Sequence, residues 1–321
     1  MVEVWLPYGD MEIPILLPDP INLKIMPKTI YPMRRELDTL EKLRSILVDI
    51  TPLNIFLSPL ADEAEKGYVL SVLRRLEVDY KIVDDYEESN IVIDIFRYDP
   101  ILGFRSSVWV GEIAMDPLKF LRTALYKEFS PGIKGGDKLY IDLILDGGAR
   151  LFDVISSDDG SHYEEAKKIY VEGWCLKTDL APLIITSLGG VPWDSSLYLL
   201  MIGLSKLAFL GVRDSTILII SRTRLRDVDP TIFKGLTIEN ARDVYQLYIA
   251  YCRDKLEGLN IVHYGALPRT IASHLKITKT LNVEKYLSRI PLAMKRDVLV
   301  IEDLYLFHPY RCSIPEAGEE A

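Results

Sequence analysis

The chain has 321 residues, 49% of them hydrophobic and 26% charged, a balance that suits two ordinary globular domains and excludes a disordered chain. A formal net charge of −9 argues against a nucleic-acid partner, because phosphate recognition needs clustered cations. The longest apolar run, Leu197 to Leu210, is broken by Ser205 and Lys206 and is too short to span a bilayer, so a cytoplasmic protein without membrane contact is expected.

Val2 to Leu6 and Glu12 to Leu17 flank the turn Tyr8-Gly9-Asp10 and predict an N-terminal β-hairpin. Pro14 marks its second strand as an edge, since proline cannot donate to a ladder. Arg34 to Leu47 carries Leu37, Leu40, Leu43 and Leu47 at helical spacing. Strand–helix alternation follows. Leu53 to Leu57, Tyr80 to Val83 and Ile91 to Phe96 are short apolar strands, and Glu63 to Leu76 is an amphipathic helix facing inward through Tyr68, Val69, Val72 and Leu76.

From Tyr98 to Lys138 the pattern is least regular, with one helix expected around Leu118 to Tyr126; Phe104, Val108, Trp109, Val110 and Ile113 make it core, a cleft plug or an interface. Asp146-Gly147-Gly148 joins the strands Leu139 to Leu145 and Ala149 to Ile155. Ser161 and Glu164 form a capping-box pattern before a helix from Tyr163 to Val171.

The second half repeats the α/β rhythm: strand Leu183 to Thr186, helix Ser195 to Ala208, strand Thr216 to Ile220, helix Thr237 to Leu256, a short strand and helix within Ile277 to Ile290, and strand Val298 to Ile301. The expected architecture is α/β in two domains, each a mainly parallel sheet flanked by helices. Their boundary is placed within Gly173 to Pro182, giving units 1–176 and 177–321.

Cys175, Cys252 and Cys312 form no CxxC pair, so no zinc ribbon or disulfide framework is expected. His162, His263, His274 and His308 lie apart, and none is paired at helical spacing for a metal. Ser187-Leu188-Gly189-Gly190 follows a buried strand and precedes a helix, where open α/β sheets place ligands. Its glycines allow close approach of an anion or simply make a tight turn. Asp194 is a candidate N-cap and Pro192 a helix-start proline.

Three stretches together resemble the nickel-pincer lactate racemase family: Leu6-Pro7-Tyr8-Gly9 with Ile13 to Asp19, Leu145 to His162, and Ile184 to Tyr198. The last has serine, two glycines, proline, aspartate and leucine-tyrosine at that family's spacing. The resemblance implies a two-domain fold and racemisation of a 2-hydroxy acid by two histidines. It also implies a nickel cofactor tethered to a lysine, a further histidine on the nickel, and an aspartate-x-threonine-arginine loop after the first core strand.

Several of those parts have no counterpart at the matching positions. The loop after Leu57 reads Ser58-Pro59-Leu60-Ala61, and no histidine lies between Ile91 and Leu145. Lys138 in Gly135-Gly136-Asp137-Lys138 is a faint echo of the tether. The family's glutamine and lysine after leucine-tyrosine fall on Leu199 and Ile202.

The chain is therefore expected to be a shortened, divergent, non-catalytic relative without a cofactor. Ser187, Gly189, Gly190, Asp194 and Tyr198 are its candidate ligand-binding residues, with a small carboxylate or anion in the interdomain cleft and a protein partner or second copy as other candidates. Two readings compete. One is an active racemase with a nickel-pincer nucleotide whose ligands come from His162, His263 or another chain. The other is a different enzyme using Asp194, Tyr198, Arg222, Arg224, Glu302, Asp303 and His308.

Overall fold

A computed structural model describes residues 2–17, 22–26, 33–126, 137–147, 149–176, 180–210, 212–223 and 233–311. The chain opens with the antiparallel hairpin β1 (Val2–Tyr8) and β2 (Met11–Leu17), then β3 (Asn22–Met26), α1 (Met33–Leu47), β4 (Asn54–Leu57), α2 (Glu63–Arg75), β5 (Lys81–Ile82) and β6 (Ile91–Ile95). Next come β7 (Arg97–Asp99), β8 (Gly103–Arg105), α3 (Val110–Met115), α4 (Pro117–Ala124), β9 (Leu139–Asp146), β10 (Arg150–Ser157), α5 (His162–Trp174) and β11 (Cys175–Leu176). The second half holds β12 (Leu183–Ser187), α6 (Leu197–Phe209), β13 (Thr216–Ser221), α7 (Val244–Leu256), β14 (Asn260–Gly265), α8 (Arg269–His274), β15 (Thr278–Thr280), α9 (Val283–Arg289), α10 (Leu292–Lys295), β16 (Asp297–Ile301) and β17 (His308–Arg311).

Two sheets organise these elements. The first runs β10-β9-β6-β4-β5 and is parallel except for β10; the second runs β15-β14-β13-β12-β16-β3 and is parallel throughout. Both faces of a parallel sheet must be covered, and the central strands alternate between two cores accordingly. Leu183, Ile185, Leu218, Ile220, Val298 and Val300 face the hairpin residues Val4, Leu6, Ile15 and Leu17. Their neighbours Ile184, Ile217, Ile219, Leu299 and Ile301 face a larger core that holds α6 and α7 and continues into the first sheet. That core is one cluster, so the two sheets share a single apolar interior.

Several sequence expectations change. Strand β3 was not foreseen; it pairs with β16, and β1–β2 packs on β12 and β13. Residues 2–17 and 22–26 therefore pack with the sheet of the second half. At the other end, β17 pairs with β11. Strand β14 also went unrecognised, although it lies inside the six-stranded sheet. Helix α7 starts at Val244 instead of Thr237, because Asp243 accepts from Gln246 N at 2.8 Å as its cap while Thr237 and Asn240 close a turn of their own. On α1, Leu40, Leu43 and Leu47 are buried but Leu37 is exposed. Gly135, Gly136, Gly148, Arg224 and Cys312 lie outside the described residues.

The irregular segment after Tyr98 holds β8, α3 and α4, and Phe104, Trp109, Val110 and Ile113 are core residues there. Among the described residues no helix is long and apolar enough to cross a membrane.

Candidate functional site

Open parallel sheets bind ligands beyond the carboxyl ends of their strands, where the strand order reverses. In the six-stranded sheet the order reverses between β12 and β16, and in the five-stranded sheet between β4 and β6. The loops beyond those strand ends meet one another. Tyr305, after β16, donates to Glu65 Oε1 at 2.9 Å. Tyr198 on α6 donates to Leu60 O, after β4, at 3.4 Å. Trp193 stacks on Tyr305 with ring centres 4.1 Å apart and lies 5.6 Å from the Tyr68 ring of α2.

A buried ion network lies at this junction. Glu65 Oε1 accepts from Arg97 Nε at 2.8 Å and Oε2 from Arg105 Nη1 at 2.9 Å. Arg105 Nη2 reaches Asp94 Oδ1 at 2.7 Å, and Arg97 Nη1 lies 3.4 Å from Asp99 Oδ2. Tyr248 of α7 donates to the same Asp99 oxygen at 2.8 Å. All of these side chains are buried.

Burial alone would raise the Glu65 carboxyl, but Arg105 and Arg97 overcome it and hold it at about 2. Lys206 of α6 is also fully buried and donates to Tyr305 O at 2.5 Å. Desolvation, with Arg97 adding to it, pushes its ammonium well down. Groups fixed in this way, out of water, can lock two halves of a protein together.

None of the network's charged groups was singled out in the sequence, although two signals were there. Asp94 interrupts the apolar run Ile91-Val92-Ile93, and Asp62 with Glu65 forms a capping box at the start of α2.

The candidate residues of the glycine loop meet the protein's own hairpin. Ser187 Oγ donates to Pro7 O at 2.5 Å, Gly9 N donates to Asp194 Oδ2 at 2.8 Å, and Val191 N donates to Gly9 O at 2.8 Å. Gly189, at φ +107°, lies so close to Asp303 that a Cβ would stand 2.7 Å from its carboxyl group; one on Gly190 would stand 2.9 Å from Gly9 O. The glycines thus permit close approach of hairpin and carboxylate. Asp194 is not the N-cap of α6. Ser196 takes that place, accepting from Leu199 N at 3.2 Å, while Asp194 Oδ2 also accepts from Arg222 N at 3.1 Å. Asp194 Oδ1 is buried without a partner, and burial, only partly offset by the Gly9 and Arg222 amides, raises the carboxyl to about 6.

The remaining candidates are dispersed. Arg222 Nη1 reaches Asp10 Oδ1 at 2.5 Å. Asp303 Oδ1 accepts from Leu306 N at 3.1 Å, and the His308 ring stacks on Phe104 with centres 5.4 Å apart. Lys138 Nζ donates to Ser89 O at 2.6 Å and Tyr86 O at 2.8 Å. His162 Nδ1 pairs with Ser157 Oγ at 2.7 Å, and its Nε2 lies 3.2 Å from Asp142 Oδ2. His263 Nε2 pairs with Ser221 Oγ at 2.9 Å in the other sheet.

These residues do not fit a tethered nickel cofactor. Lys138 is tied to backbone carbonyls, His162 and His263 are hydrogen-bonded to separate sheets and His308 stacks on Phe104, and among the described residues no three His, Cys, Asp or Glu side chains are grouped to hold a metal.

No protein-family model matches the sequence, and no curated protein matches it. Among solved structures, the chain is similar to the lactate racemase apoprotein from Thermoanaerobacterium thermosaccharolyticum, with a TM-score of 0.58 and 11% identity over 95% of this chain and 99% of that one. At that identity the likeness establishes the fold alone, and the fold of this chain is that of a lactate racemase-like two-domain α/β protein.

Proposed function

We propose that this chain is a non-catalytic relative of the lactate racemases, a binding or assembly protein that keeps the two-domain fold without the nickel cofactor, the acid–base pair or the tether. One observation carries the reading: the space beyond the carboxyl ends of both sheets is occupied by the protein's own Glu65, Arg97, Arg105, Trp193 and Tyr305. A cofactor and a 2-hydroxy acid placed there would have to displace a buried ion network, and breaking such a network costs several kcal/mol, about 3–5 per partner removed.

The test is protein purified from its native host, examined by metal analysis, intact mass and a racemisation assay with L-lactate. An unmodified mass, no nickel and no racemisation are the expected results. Stoichiometric nickel, an added mass on a lysine and racemisation of lactate would overturn the proposal.

A further inference from the structure

Asp94 lies on strand β6 and reaches the junction of the two halves through Arg105, which also bonds Glu65, the acceptor of Tyr305. Its register partner on β9 is Asp142, so two carboxyl groups lie side by side on one face of a parallel sheet, both buried. The next three residues after Phe104 divide between them. Arg105 Nη2 donates to Asp94 Oδ1 at 2.7 Å, Ser106 Oγ donates to Asp142 Oδ2 at 2.5 Å, and Ser107 N donates to Asp142 Oδ1 at 2.6 Å. Asp94 Oδ1 also accepts from Ile95 N at 2.8 Å, whereas Oδ2 is buried with no partner.

The titratable groups that act on Asp94 are Arg105 from β8, Glu65 from α2 and Asp142 from β9; Arg97 and Asp99 of β7 continue the network beyond Glu65, and His162 of α5 lies on Asp142. Strand β4, on the other side of β6, brings none. Asp94 and Glu65 therefore share the Arg105 guanidinium in a dry interior, with the Asp142 carboxyl beside them. An uncompensated buried charge is expensive, and such a group responds by taking up a proton.

We propose that Asp94 is a proton-binding site built into the junction, with the proton on Oδ2, and that its occupancy is linked to the stability of the contact between the two halves. Glu65 keeps its charge because two guanidinium groups bond it directly. Asp142 keeps three donors or near neighbours, Ser106, Ser107 and His162. Asp94 has one cation, shared with Glu65, and one oxygen free to carry hydrogen. Burial, opposed by Arg105 and reinforced by Glu65 and Asp142, raises it to about 6. A folded value above the unfolded one means that the stabilisation is fully present below the unfolded value and is lost as pH rises through about 6.

The decisive experiment is a carbon-13 carboxyl NMR titration of the intact chain, with the Asp94 resonance assigned. A midpoint near pH 6 is expected; a resonance already at its ionised position at pH 5 overturns the proposal. The linkage is read separately by urea unfolding of wild type and Asp94→Asn. Wild type should lose roughly 10-fold in its folding constant between pH 5 and 8 on account of this group, and Asp94→Asn should lack that share. An unchanged pH slope in a folded Asp94→Asn variant overturns the linkage. Should the variant not fold, the wild-type titration still decides the proton site.

Discussion

Tyr305 Oη and Glu65 Oε1 lie 2.9 Å apart across 240 positions of sequence, and the Tyr305 ring also lies 5.7 Å from the Arg97 guanidinium. Glu65 takes Arg97, Arg105 and Tyr305 at once and accepts Asp62 N at 3.1 Å as well. One carboxylate thus holds α2, β7, β8 and the loop after β16.

Removing Glu65 should therefore be worse than removing the Tyr305 hydroxyl. Glu65→Ala leaves two buried guanidinium groups without their shared acceptor and should cost about 3–5 kcal/mol. Tyr305→Phe removes one donor and should cost about 1–3 kcal/mol. Urea unfolding of both variants measures the difference; equal losses would contradict a keystone role for Glu65.

Gly189 is the tightest point of the glycine loop. Gly189→Ala would place a methyl group 2.7 Å from the Asp303 carboxyl at φ +107°, a conformation that costs a side chain about 1–3 kcal/mol before any clash. Gly235→Ala has a positive φ of +71° but nothing within 4 Å, so it isolates the backbone cost. Thermal unfolding should rank Gly189→Ala well below Gly235→Ala.

Asp194 fastens the hairpin to the loop. Asp194→Ala leaves the amides of Gly9 and Arg222 without their carboxylate, at about 1–3 kcal/mol each, and should make the Tyr8–Asp10 turn the first site of limited proteolysis. Asp194→Asn keeps an oxygen for both donors and removes a charge that folding disfavours. The wild-type carboxyl is raised to about 6, so its contribution fades as pH rises through that value, and Asp194→Asn should gain on wild type above pH 6.

His263 works in the opposite direction. Burial, followed by Lys279, lowers it to about 3, so the neutral ring is the folded form. Its contribution is full above the ordinary histidine value, near 6.5, and is lost as pH falls toward 3. A His263→Gln variant should show a shallower fall in urea midpoint between pH 6.5 and 4 than wild type. An identical fall would contradict the assignment.

Much of the scaffold was legible in residue order. Apolar runs such as Ile184-Ile185 and Ile217 to Ile220, separated by helical stretches, identify buried parallel strands, because both faces of such a strand meet apolar neighbours. The hairpin turn at Tyr8-Gly9-Asp10 and the Ser187-Leu188-Gly189-Gly190 turn were equally plain. Strand β3 was not, since Asn22-Leu23-Lys24-Ile25-Met26 is a sheet edge and edge strands carry no continuous apolar signal. Asp194 was mistaken for a cap because aspartate before a helix ordinarily caps it; what it accepts is an amide 185 positions away.

The sequence by itself determined that two parallel sheets form and where their turns lie, because strand burial, periodicity and turn chemistry act over a few neighbouring residues. Only the tertiary structure decided what occupies the space beyond the strand ends. Glu65, Arg97, Arg105 and Tyr305 look like ordinary surface or loop residues one at a time, and their burial follows from long-range pairing that compensates charge between α2, β7, β8 and the end of the chain.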